Sequence, residues 1–120
     1  MRQTKKTIEH NGKEYPLVFN LNVMEVIQDE YKTLDAWGEL TDGSTGEVNV
    51  KALIFGFTAM INEGLEISNE ENGTNEPLLT HKQAGRILTD VGLREITSTV
   101  NELVVDSTQT DEDKDKAKNE

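Results

Sequence analysis

Carboxylates and amides gather in the stretch 66–77, "EISNEENGTNEP", and the first chemistry to test there is cation binding. A calcium loop of the EF-hand kind needs oxygen ligands at positions 1, 3 and 5, glycine at 6 and a bidentate glutamate at 12. Setting Gly73 as that glycine puts Ser68, Glu70 and Asn72 on the ligand positions, but Leu79 falls where the glutamate is required. Asp111, Asp113 and Asp115 repeat the alternation with Lys116 in the glycine's place. Neither stretch has the pattern of a calcium loop. Glu70 and Glu71 are adjacent carboxylates, yet acid–base work needs burial or a charged neighbour to move a pKa, and a polar loop supplies neither.

The remaining reactive inventory is short. His10 and His81 have no acidic residue at a spacing that would share a metal with them, so both are expected to be exposed. "DGSTGE" has glycines but lacks the lysine and following hydroxyl of a phosphate loop, and no G-x-S-x-G elbow occurs. Cysteine is absent, which removes disulfides, thiolate catalysis and cysteine-ligated zinc. The expectation is a protein that is not an enzyme, with no cofactor and no metal.

Charge narrows the partners. With 23 Asp and Glu against 12 Lys and Arg, the formal net charge is −11, which repels phosphate backbones, so no nucleic-acid partner is expected. The longest apolar window, "ALIFGFTAMI", is well short of the roughly 18 residues of a membrane span, and no apolar run follows the charged N-terminus. These features predict a soluble, unexported protein. Hydrophobic residues make up 34% of the 120, low enough that part of the chain should lie outside the core.

The elements that must position any site follow from local pattern. Asn11-Gly12 between strand-like runs at 7–9 and 15–19 predicts a type I′ hairpin over about 5–19, and Pro16 puts one strand at an edge. Asn22, three residues before Glu25, is expected to cap a helix over about 22–40 that restarts at Thr33 or Asp35. Met24, Ile27, Tyr31 and Leu34 form its apolar stripe, widened by Val23 and Val26. Asn49 should cap a central helix over 50–64 stopped by Gly64, followed by a surface loop at 66–77. Thr80 should cap a helix over 80–91, Gly92 should bend the chain, and an amphipathic helix should cover 93–105. Residues 106–120 have almost nothing to bury and are expected to form a disordered acidic tail.

The fold class predicted is therefore mainly α with an N-terminal β-hairpin (α+β): one domain at 1–105, with a small bundle of about four helices. Such a bundle carries more large apolar residues than its core needs. Trp37, Phe55, Leu65 and Ile67 are the candidates for a partner-binding surface, with inward packing as the alternative for each.

The order of these segments adds a resemblance. "NGKEYPLVFNLNVMEVIQDEYKTLDAW", "VKALIFGFTAMINEGLE" and "LTHKQAGRILTDVGLREITSTVNELV" together resemble the small tail assembly chaperones of long-tailed phages and prophages of Gram-positive bacteria, over about residues 7–105. A gene-transfer-agent tail protein family is similar in outline, and the stretch 66–77 has no counterpart in it. The resemblance implies a non-enzymatic protein that coats the tape measure protein and keeps it soluble until tail-tube protein displaces it. It also implies a short form and a frameshift-extended form, of which the tail after Val105 would end the short one. Self-association into a homo-oligomer is left open. The alternative is a structural component of the tail or head-tail connector, retained in the particle.

Overall fold

The computed structural model describes residues 3–44 and 46–119, with side chains through Thr108. Two strands, β1 (Thr4–His10) and β2 (Lys13–Phe19), form an antiparallel hairpin. Five helices follow: α1 (Leu21–Tyr31), α2 (Leu34–Thr41), α3 (Val50–Asn72), α4 (His81–Val91) and α5 (Leu93–Asn119). The predicted class, helical with an N-terminal hairpin, is the one observed.

The hairpin turns where Asn-Gly demands it. Asn11 at φ 53° and Gly12 at φ 79° supply the two positive angles of a tight turn, and the register runs from His10 opposite Lys13 to Thr4 opposite Phe19. A two-stranded sheet is marginal alone, so it must bury a face. Leu17, Val18 and Phe19 are buried, Leu17 and Phe19 within the main core, and β2 lies on α3. Thr4 Oγ1 donates to the Leu103 carbonyl of α5 at 2.9 Å, and Lys6 pairs with Glu102.

Helix starts are set by short polar side chains. Thr33 Oγ1 accepts from Ala36 N at 3.0 Å, Asn49 Oδ1 from Ala52 N at 2.9 Å, and Thr80 Oγ1 from Gln83 N at 3.1 Å. The Gln83 side chain answers by accepting from Thr80 N at 2.9 Å, closing a capping box. The first helix differs from expectation: its cap is Asn20, not Asn22, with Asn20 Oδ1 accepting from Val23 N at 3.2 Å. β2 ends at Phe19, so Asn20 directly follows the strand in cap position and Asn22 falls inside the first turn. The expected helix over 22–40 is broken after Tyr31 by Lys32 at φ 75° and restarts at the Thr33 cap.

The central helix is longer than expected. Gly64 does not stop α3; it lies inside the helix, where a Cβ would meet the Pro16 carbonyl oxygen at 2.6 Å, so glycine there serves close packing of the hairpin. The stop is Gly73, left-handed at φ 65°, and the predicted surface loop at 66–77 is helical through Asn72. After it, Asn69 Oδ1 accepts from Thr74 Oγ1 and Glu76 N, while Asn69 Nδ2 donates to the Glu76 carbonyl.

The core is built around α3. Leu53, Phe57, Met60 and Ile61 meet Leu17 and Phe19 of the hairpin, Ile27 of α1, Ile87 and Leu88 of α4, and Ile96, Val100 and Leu103 of α5. Burying each such side chain fully contributes about 1.5–3 kcal/mol, which is what orders so polar a chain. Of the tail expected at 106–120, residues 106–108 continue α5 and Ser107 is buried; side chains beyond Thr108 lie outside the described residues.

Candidate interaction groove

Four residues were expected at a partner surface, and the structure separates them. Trp37 is 2% exposed: its indole lies over Gly56, where a Cβ would come within 2.2 Å of Cζ2, and Nε1 donates to the Ala52 carbonyl at 2.8 Å. Leu65 is also 2% exposed. Both are interior side chains, Trp37 packed on the start of α3 and Leu65 buried on α3, and neither can form a surface in this fold. Ile67 is half-buried and stands apart from the core cluster and from the groove described next. Phe55 is half-buried and does line an open surface.

That surface is a groove between α1 and α3, closed at one end by the segment leading into α4. Its volume is about 560 Å³. The apolar part is Val26 from α1, Phe55 and Ala59 from α3, and Leu78; Val26 and Leu78 are 44% and 43% exposed. Glu25, Glu63 and Glu66 add three carboxylates, and Asn22, Thr58, Asn62 and His81 complete the lining.

The groove's walls are tied by specific contacts. The Tyr31 and Phe55 rings meet edge-to-face at 5.4 Å and 75°, joining the end of α1 to the start of α3. Desolvation, with Glu30 nearby, raises the Tyr31 pKa above its ordinary value. At the other end, Glu63 accepts from Asn20 Nδ2 at 2.7 Å and from Asn22 Nδ2 at 2.9 Å. The two helices therefore run antiparallel along the groove. Neutral amides orient the Glu63 carboxylate without cancelling its charge.

Asn62 fixes the third wall. Its Oδ1 accepts from Leu79 N at 2.8 Å and its Nδ2 donates to the Leu79 carbonyl at 2.9 Å, a two-point clamp that holds Leu78 beside the groove. Thr58 Oγ1 donates to the Ile54 carbonyl at 2.7 Å, which satisfies it within its own helix.

Sequence reasoning missed Val26 and Leu78. Val26 was assigned to a widened core stripe, and the paired leucines before the Thr80 cap were the unused signal: only Leu79 packs against the core.

Elsewhere the polar clusters are small. His10 Nε2 lies 2.6 Å from Asp90 Oδ2 and joins the hairpin turn to α4; its side chain is only 15% exposed, so the expectation of an exposed histidine is corrected there, while His81 is exposed as expected. Among the described residues, no group of three or more His, Cys, Asp or Glu side chains could hold a metal ion, and no helix is long and apolar enough to cross a membrane. The chain matches no family model, no curated protein and no solved structure.

Proposed function

We propose that this chain is a non-enzymatic tail assembly chaperone of a long-tailed phage or prophage, acting in the bacterial cytoplasm on the tape measure protein. The observation that carries the reading is the groove between α1 and α3, where two of the chain's exposed large apolar residues, Val26 and Leu78, stand together beside the half-buried Phe55 and Ala59. The resemblance of residues 7–105 to those chaperones supports it, and the net charge of −11 suits a coat that must keep an apolar-faced helical client dispersed. A client many residues long offers repeated segments, so modest affinity at each groove suffices when many copies bind together.

Co-expression with the tape measure protein of the same genome tests the reading. The expected outcome is a tape measure protein held soluble in a complex with many copies of this chain, measured by size exclusion with light scattering. If the tape measure protein stays insoluble while this chain alone assembles into rings or tubes, the protein is a structural component of the tail or connector instead.

A further inference from the structure

The groove is graded along its length, and the grading specifies an occupant. At the Tyr31–Phe55 end the lining is Phe55 and Ala59, with Val26 and Glu25 midway along α1; toward the other end it carries Glu63 and Glu66, with Leu78 held beside Asn62 and His81 nearby. Along α3 the lining positions Phe55, Ala59, Asn62 and Glu66 follow helical spacing, and Glu66 lies 11 residues beyond Phe55, a rise of about 16.5 Å at about 1.5 Å per residue. A trough of that length matches about three helical turns. Glu25 and Glu66 are exposed and form no ion pair among the described residues, and Asn20 and Asn22 give Glu63 only neutral donors.

We infer that this groove docks an amphipathic helix of a partner protein that places apolar side chains over Phe55, Ala59 and Val26 and a lysine or arginine over Glu63 and Glu66. The inference rests on the chaperone reading and deepens it by stating the segment recognised: short, helical, apolar on one face and basic at one end. Apolar contact supplies the attraction, and the carboxylates select cationic segments and repel acidic ones. A second copy of this chain fits poorly, because its net charge of −11 repels an acidic groove and the hairpin lysines Lys6 and Lys13 already pair with Glu102 and Glu76.

The test uses the full chain and a pair of designed 14-residue helical peptides with the same leucine face, one ending in two lysines and the other in two glutamates. Fluorescence anisotropy should show the lysine peptide binding at least tenfold more tightly, with the difference shrinking as salt rises. Val26→Asp and Leu78→Asp change exposed positions and should abolish binding while circular dichroism shows an unchanged melting curve. The combined Glu63→Gln and Glu66→Gln variant, which keeps an acceptor for Asn20 and Asn22, should keep binding and lose most of the preference for lysine. Equal binding of both peptides, or full binding by a folded Val26→Asp variant, overturns the inference. If the tape measure protein is held soluble but no peptide binds through the groove, the inference fails and the chaperone reading survives. If a groove-dependent lysine preference is present while the tape measure protein stays insoluble, the chaperone reading fails and the docking site stands.

Discussion

A methyl group at position 64 would sit 2.6 Å from the Pro16 carbonyl oxygen and 2.9 Å from its Cβ and Cγ, closer than side chains pack. Backbone cannot rotate away as a side-chain tip can, so the hairpin must lift from α3. Gly64→Ala should therefore lower stability by about 1–2 kcal/mol, or about 4–8 °C in Tm, despite alanine's better helix propensity. Gly38→Ala is the control, because Gly38 in α2 has nothing within 4 Å of the added carbon and should gain about 0.5–1 kcal/mol. Thermal melts of the two variants separate close packing from backbone entropy. Both glycines are visible in the sequence, but only the neighbour across the interface distinguishes their roles. A glycine followed by polar residues looked like a helix stop, and the actual stop is the next glycine in α3's path, Gly73, with its left-handed backbone.

Among elements, the connection from α3 to α4 is held by Asn62 and Asn69 together with the packing of Leu79 against the core. Asn62 pairs with both backbone groups of Leu79, as a neighbouring strand would, and Asn69 holds Thr74 and Glu76. Removing the clamp with Asn62→Ala leaves two backbone groups to find new partners, a loss of about 1–3 kcal/mol. Hydrogen exchange should then accelerate at the Leu79 amide and in the segment leading into α4, while the α3 core around Phe57 and Met60 stays protected. Unchanged protection at Leu79 would mean that the α4 capping box alone holds the segment. The caps at Thr33, Asn49 and Thr80 were legible because a cap involves residues three apart. The Asn62 clamp was not, since its partner is 17 residues away.

For the whole molecule, the dominant electrostatic fact is the charge of −11. The ion pairs Lys6–Glu102 and Lys13–Glu76, and the contact of His10 Nε2 with Asp90, each tie the hairpin to the rest of the chain, so basic groups on the hairpin meet acidic partners. Exposed pairs contribute little each, about 0–1 kcal/mol, whereas self-repulsion acts over the whole surface. Raising sodium chloride from about 10 mM to about 300 mM shortens the screening length from about 30 Å to below about 10 Å and should raise Tm by a few degrees. A fall in Tm would show that the hairpin's ion pairs outweigh the repulsion.

What the sequence by itself determined lies in short-range physics. The positive angles that Asn11 and Gly12 favour, the caps at Thr33, Asn49 and Thr80, and the 3.6-residue periods of α1, α3, α4 and α5 follow from residues a few positions apart. The helical fold with its hairpin was readable from these. Tertiary structure alone decided which apolar face met which. It turned Trp37 onto Gly56 and Leu65 inward, and it left Val26 and Leu78 exposed beside Phe55. Periodicity marks a face as apolar, but whether that face is covered depends on a neighbour arriving from a distant part of the chain.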